Sequence, residues 1–216
     1  MSHRQFISFP VDKQKSTYNE TARIEAFSDG VFAVAITLLI FQIRVPAHEP
    51  PGGLRAALVD LWPSYLAFLA SFMTIGVMWL NHHRLFSMVT RKDDGLIVLN
   101  LLLLLVTTWL PFPTALLAEH LRGPHDDQRT AGVVYSTSLF AMAIAFNVLW
   151  RYAVRIDAVG ENATVGAISR QYAIGPLIYA VLVGIAFFSA DWCLVISALY
   201  AFYFALPPSL LRRPRR

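Results

Sequence analysis

The chain has 216 residues, of which 56% are hydrophobic and only 15% charged, and its mean hydropathy is +0.51. A soluble domain carries about 25% charged residues, so this composition excludes an ordinary soluble domain and indicates an integral membrane protein. The net charge of +4 does not indicate nucleic-acid binding, because the basic residues stand at the ends of apolar runs. The single Cys193 excludes a disulfide framework and a cysteine-based metal cluster.

Six stretches are apolar enough to cross a membrane, for which about 20 residues are needed. The tract 172–207 would measure about 54 Å as one helix, against a bilayer core of about 30 Å, so we divide it at Ser189–Trp192. The predicted fold is all-α, with six transmembrane helices within 23–208, an N-terminal arm at 1–22 and a basic tail at 209–216. The helices are predicted at about 24–45, 58–80, 95–118, 131–152, 172–189 and 192–207.

The positive-inside rule gives the orientation. If the N-terminus is inside, 14 of the 18 Lys and Arg residues lie on the inner side, and both termini are cytoplasmic. The outer loops then hold only Arg44, Arg55, Arg122 and Arg129. The polar arm predicts no cleaved signal peptide, and the basic tail is expected to bind anionic lipid headgroups. The soluble parts are too short to form a separate catalytic or DNA-binding domain.

The first predicted helix carries polar and apolar features that point in different directions. At about 100° per residue, Val34, Thr37, Leu38 and Phe41 share one stripe about 100° wide. Ser28 and Asp29 lie about 120° and 140° from Val34 on the same wheel. If the stripe lines a central path, Ser28 and Asp29 therefore face the neighbouring helices of the bundle.

An ionisable residue inside a membrane indicates a functional site and needs a partner. The second helix is predicted to bring His82, His83 and Arg84 to the membrane level of Asp29. We expect a network of Asp29 with Arg23 and with one of these three residues, which would neutralise the buried charge. Two interpretations stay open: a network that only stabilises the fold, and one that supports a gate.

Other site classes have weak sequence support. Adjacent His82 and His83 point about 100° apart on a helix and cannot share one metal ion, so we predict no metal centre and no cofactor. Thr74–Met78 faintly resembles the TVGYG filter of potassium channels but lies inside an uninterrupted apolar span. Neither a nucleophile–base pair nor a phosphate-binding Gly loop is present, which argues against an enzyme.

Two segments resemble a known family. The first span opens with RxxxFSD, formed by Arg23, Phe27, Ser28 and Asp29, and continues with AVAITLL. The second span contains MWLNHHRLF. Both are similar to segments of the transmembrane protein 175 family of potassium-permeable channels, and the resemblance covers essentially Ala22 to Pro207.

The resemblance implies a channel without a P-loop filter, in which the first helix lines the ion path and apolar layers constrict it. A single six-helix unit implies a prokaryotic-type homotetramer with the pore on its fourfold axis. Val34, Leu38 and Phe41 would form the apolar layers, with Thr37 as a hydroxyl layer linked to selectivity. The signature residues would hold a polar network near the inner mouth. Family members more often have Leu or Ile in place of Val34, and Leu in place of Phe41.

With this resemblance, the prediction is a potassium-permeable, homotetrameric cation channel, with K⁺ and other monovalent cations as permeant ions, in a prokaryotic plasma membrane. The predicted partners are lipid and a second copy of the chain, and no nucleic acid is expected. The alternative is a secondary transporter, with proton coupling through Asp29 and His82 or His83 as one version. A third reading is a non-conducting membrane interaction protein.

Overall fold

The computed structural model describes residues 13–46, 51–159 and 164–205, which form eight α-helices and one 3₁₀ turn. The first part of the predicted arm (1–12) and the basic tail (209–216) lie outside the described residues. The helices are α1 (Lys13–Leu38), α2 (Gly53–Asp60), α3 (Trp62–Met88), α4 (Asp94–Trp109), α5 (Pro111–His120), α6 (His125–Arg155), α7 (Thr164–Ala186) and α8 (Ala190–Ala205). The 3₁₀ turn, Leu39–Gln42, continues α1.

Five helical stretches of the described residues are long and apolar enough to cross a membrane. They are Thr21–Gln42, Trp62–Met88, Asp94–His120, His125–Arg155 and Val165–Ala186. The sixth apolar helix, Ala190–Phe204, is shorter. At 1.5 Å per residue it measures about 22 Å, less than the bilayer core of about 30 Å. The all-helical membrane architecture agrees with the sequence, whereas the sixth full span remains a prediction.

Several helix boundaries differ from the predicted ones. Helix α1 already begins at Lys13, inside the predicted arm, and α2 occupies part of the predicted first outer loop. The third span divides at Leu110, because Pro111 and Pro113 have no N–H to donate to the preceding turn. Leu110 keeps right-handed helical angles, so α4 and α5 form one kinked span. The break in the last apolar tract lies at residues 187–189.

Helix α6 forms the centre of the fold, since it packs against α4, α5, α7 and α8. Its large, fully buried side chains include Tyr135, Leu139, Met142, Leu149 and Trp150. Helix α1 lies to one side and packs against α3 and α4. This placement leaves much of the surface of α1 outside the core of a single chain.

The start of α4 is tied to the end of α6 by the Asp93 carboxylate. Asp93 accepts hydrogen bonds from the Tyr152 hydroxyl at 2.7 Å and from the Leu96 backbone N–H at 2.8 Å. These bonds stabilise the ionised form, with that from Tyr152 first, and lower the pKa of the Asp93 carboxyl. The segment between α3 and α4 is also held to the residues that follow α6, because the Thr90 backbone N–H donates to the Ala158 carbonyl at 2.7 Å.

Helix α7 contains an internal proline whose effect is compensated by α6. Pro176 has no N–H, so the carbonyl of Tyr172 loses its usual donor four residues later. The Asn147 side-chain amide of α6 donates to this carbonyl at 2.9 Å. A backbone acceptor that would otherwise lack its helical partner in an apolar region is thereby satisfied.

We predict that Asn147→Leu lowers the free energy of unfolding by about 1–3 kcal/mol, because the Tyr172 carbonyl becomes an unpaired buried acceptor. In a Pro176→Ala background the new N–H at position 176 can reach that carbonyl, so the same substitution should cost less. Thermal unfolding of the purified protein in detergent measures both differences. An equal loss in the two backgrounds would show that Asn147 does not act through the proline defect.

Candidate functional site on the first helix

Helix α1 presents two different faces. The buried face of α1 and of the 3₁₀ turn that continues it includes Ser28, Phe32, Ala35 and Leu39, all of which are at most 1% exposed. On the opposite side, Val34 is 55% exposed and Phe41 is 73% exposed, and Thr37 and Leu38 are exposed as well. The four residues predicted to line a path therefore lie together on the surface that a single chain leaves uncovered.

The Thr37 hydroxyl lies on this uncovered face. It donates its proton to the Val34 carbonyl at 2.9 Å, within its own helix. A hydroxyl has one proton and two lone pairs, so the Thr37 oxygen keeps acceptor capacity for a cation or water. Thr107 and Thr108 likewise donate to backbone carbonyls of α4. This is the behaviour expected of isolated threonines in membrane helices.

A chain of hydrogen bonds joins α1, α4 and α3 behind the exposed face. The Ser28 hydroxyl donates to the Ile24 carbonyl at 2.8 Å, so its oxygen must accept from the Asn100 amide at 2.9 Å. The amide oxygen of Asn100 then faces His82 Nε2 at 2.9 Å. Because that oxygen can only accept, His82 Nε2 must carry the proton. This series of hydrogen bonds therefore fixes the tautomer of His82.

The other imidazole nitrogen, Nδ1, is buried and has no hydrogen-bond partner among the described residues. The ring of His82 stacks on Phe86 with centroids 4.4 Å apart and lies 5.3 Å from the ring of Phe32. In the neutral Nε2–H form, Nδ1 carries a lone pair rather than an unpaired N–H. A second proton would place a charge in this apolar setting, which is costly.

Asp29 and Glu25 of α1 contact other residues of α3. The Trp79 indole N–H donates to Asp29 at 2.8 Å, and His83 Nδ1 lies 2.7 Å from Glu25 Oε1. Trp79 and His83 also stack on each other with centroids 6.0 Å apart. Both contacts lie on the N-terminal side of the exposed stripe.

This arrangement differs from the predicted single network. Among the described residues, no hydrogen bond or ion pair joins Asp29 to Arg23, His82, His83 or Arg84. The side chains of Arg23, Phe27 and Arg84 are exposed, while Ser28 and His82 are buried in the chain of bonds described above. The sequence did not single out Asn100, Trp79 and Glu25 as contacts. Asn100 carried a usable signal, because it is the one polar residue in the run LNLLLLL.

The sequence also raised the question of a filter-like segment and of a metal site. Thr74–Met78, the segment that resembles a filter sequence, lies inside α3, and its Thr74 hydroxyl donates to the Ala70 carbonyl at 2.8 Å. Within residues 13–46, 51–159 and 164–205, no group of three His, Cys, Asp or Glu side chains is arranged to hold a metal ion.

We predict that Asn100→Ala lowers the free energy of unfolding by about 2–4 kcal/mol, because it leaves the His82 N–H without an acceptor and the Ser28 oxygen without its donor in the interior. The matched control is Leu101→Ala on the same helix, where the half-exposed side chain faces outward. Thermal unfolding in detergent compares the two. If both variants lost the same small amount, the hydrogen-bond chain would not be a determinant of stability.

Known proteins are similar to this chain over most of its length. The sequence model described as "Endosomal/lysosomal potassium channel TMEM175" matches residues 23–111, which include the signature, the stripe and the polar partners on α3 and α4. A protein of Chamaesiphon minutus named as a potassium channel is 48% identical over 194 residues, covering 87% of this chain and 95% of that one. One of Streptomyces collinus, also named as a potassium channel, is 47% identical over 194 residues, covering 86% and 92%.

A solved structure extends the likeness to three dimensions. It is the crystal structure of a lysosomal potassium-selective channel TMEM175 homolog from Chamaesiphon minutus. It superposes with a TM-score of 0.78 at 48% identity, covering 87% of this chain and 97% of that one. The resemblance drawn from the RxxxFSD segment is thus confirmed, and the chain belongs to the TMEM175 family.

Proposed function

We propose that this chain is a potassium-permeable cation channel that works as a homotetramer, with the exposed face of α1 lining the pore. The observation that carries the proposal is the one-sided burial of α1. Val34, Thr37, Leu38 and Phe41 are uncovered in the single chain, while the opposite face is sealed against α3 and α4. The relatives named as potassium channels support K⁺ as the permeant ion.

Small residues on α1 support assembly of several copies around this helix. Ala26, Gly30, Ala33 and Thr37 follow one another at helical spacing, and all four are exposed. Nothing lies within 4 Å of a Cβ built on Gly30. Small residues let the backbones of membrane helices approach closely. Four copies of α1 can therefore converge with the larger Val34, Leu38 and Phe41 directed to a common axis.

Such a pore would select ions by the size of its constriction and would gate by the entry and exit of water, rather than by carbonyl coordination of the ion. Rings of apolar side chains form constrictions that open and close as water enters or leaves them. An ion must bind weakly enough to move on. The Thr37 oxygen, whose proton is already bonded to the Val34 carbonyl, offers a weak acceptor of this kind.

The orientation follows from charge. Lys and Arg concentrate on the side of the N-terminus, so we assign both termini to the cytoplasm and the protein to a prokaryotic plasma membrane as a multi-pass protein. The Asp29–Trp79 and Glu25–His83 contacts then lie toward the inner mouth, and Phe41 toward the outer one.

The runner-up function is a secondary transporter with Asp29 and His82 or His83 as proton carriers. Transporter sites are typically built at unwound helix breaks. The kink at Leu110 keeps helical angles, and His82 holds its Nε2 proton against Asn100. Neither feature favours a transporter. Saturable counterflow would identify a transporter, whereas unitary ohmic current steps would exclude a transporter. A non-conducting interaction protein, the third alternative, would give no ion flux.

We predict that Val34→Ala and Thr37→Ala change the unitary conductance or the K⁺/Na⁺ permeability ratio by about twofold or more, because each alters a layer of the pore. The matched control is Val98→Ala on α4, where the residue is similarly exposed, at 62%, but does not belong to the stripe of α1. Recordings from reconstituted protein under K⁺/Na⁺ gradients measure both. Identical currents for all three variants and the wild type would reject the pore assignment.

We also predict that the purified complex has four times the mass of the 24.2 kDa chain. Native mass spectrometry from detergent gives this number directly. A stable monomer with full K⁺ flux would contradict the tetramer, since a single α1 cannot enclose a path.

A further inference from the structure

Two ion pairs stand at the end of α1 opposite to its N-terminus. Arg44 Nη2 lies 2.8 Å from Glu119 Oε1, at the end of α5. Arg122 Nη1 lies 3.1 Å from Asp60 Oδ1 and 3.4 Å from the Asp60 carbonyl oxygen. All four residues line one cavity of about 320 Å³. Each guanidinium in it has one carboxylate, so the charges of the cavity cancel.

The Arg44–Glu119 pair contributes little to folding. The side chain of Arg44 is 78% exposed and that of Glu119 is 46% exposed. Ion pairs this open to water add almost nothing to stability, because solvent and salt screen them. A substitution at either residue should therefore leave the fold intact. Any effect of the pair on function then comes from the charges that it holds at this end of α1.

The pair is close to the outermost residue of the exposed stripe. Arg44 follows Phe41 by three residues, which span at most about 10 Å of chain. The intervening turn is held by the Ile43 N–H donating to the Ile40 carbonyl at 3.1 Å. Charges interact over a Debye length, which is about 8 Å at physiological ionic strength and about 30 Å at 0.01 M. An unpaired Arg44 would therefore repel cations that approach this end of α1.

We propose that Glu119 sets the rate at which cations enter the pore from the Arg44 side, by neutralising Arg44 beside the mouth. This inference rests on the proposed pore along α1. Glu119 acts through the charge of Arg44 rather than by binding the ion in the constriction. Its loss leaves one uncompensated positive charge per chain, and the loss of Arg44 leaves one negative charge instead.

The test measures unitary K⁺ current entering from the Arg44 side in reconstituted protein, at about 0.02 M and at 1 M KCl. At low salt Glu119→Gln should lower this current by about twofold and Arg44→Gln should raise it, since opposite charges remain. The double variant should return to the wild-type value. At 1 M KCl, where the Debye length is about 3 Å, the differences should largely vanish.

The matched control is Asp126→Asn, which removes the carboxylate of the exposed Arg129–Asp126 pair on α6 but leaves Arg44 neutralised by Glu119, so it should change the current less than Glu119→Gln does. Sidedness is assigned by modifying a Val45→Cys variant with a membrane-impermeant thiol reagent, because Val45 is exposed and the natural Cys193 is buried.

Changes in the same direction for the two single variants would overturn the inference and indicate a purely structural clamp. Glu119→Gln currents equal to those of wild type at low salt would overturn it as well. In both cases the pore assignment survives if Val34→Ala still alters conductance. A wild-type protein without K⁺ current would reject the proposed function and this inference together.

Discussion

The rotation of α1 about its own axis is the constraint on which the rest of the account depends. Successive residues on a helix differ by about 100°, so a rotation by one position would present the buried Ala35 in place of Val34. The bonds from Ser28 to Asn100 and from Asn100 to His82 oppose such a turn, because each has a fixed donor and acceptor. Phe32, Ala35 and Leu39 pack on the same side. Polar bonds on one face thus determine which apolar residues the other face presents.

The contacts of Asp29 and Glu25 add a second attachment nearer the N-terminus of α1. Trp79 and His83 lie one helical turn apart on α3 and receive one acidic side chain each. His82 reaches α1 indirectly, through Asn100 of α4 and its bond to Ser28, so three side chains of α3 are connected to α1 by hydrogen bonds. At its other end α1 is held by the exposed Arg44–Glu119 pair alone among the described ion pairs. The polar contacts of α1 thus lie mainly near Ser28, whereas the 3₁₀ turn beside Phe41 is held by packing against α3 and α5, with Leu39 fully buried.

The sequence predicted those parts of the site that depend on local periodicity. The helical wheel separated Val34, Thr37, Leu38 and Phe41 from Ser28 and Asp29, and the structure places these groups on different faces. The observed hydrogen-bond partner of Asp29, Trp79, differs from the predicted ones, because several polar residues of α3 lie at the same level and spacing alone cannot rank them. The indole N–H of a Trp is a neutral donor that can hydrogen-bond a carboxylate. Only basic residues were predicted from the sequence as partners of Asp29, so Trp79 was not considered.

The misplaced helix boundaries have a similar cause. Hydropathy detects the length of an apolar run but not the loss of backbone donors within it, so the kink at Pro111 and the donation of Asn147 to Tyr172 were not predicted. Asn100 was missed because its partners lie 72 and 18 residues away in the chain. Contacts of that separation follow from helix packing, which a single sequence does not specify.

The central claim, that the exposed face of α1 meets the permeant ion, is tested most directly by cysteine accessibility. Val34→Cys and Val98→Cys place a thiol at similarly exposed positions of α1 and α4, against the buried natural Cys193. Silver ions added during single-channel recording should block the Val34→Cys channel and leave both Val98→Cys and wild type conducting. Block of Val98→Cys, or full conduction through silver-treated Val34→Cys, would contradict the account.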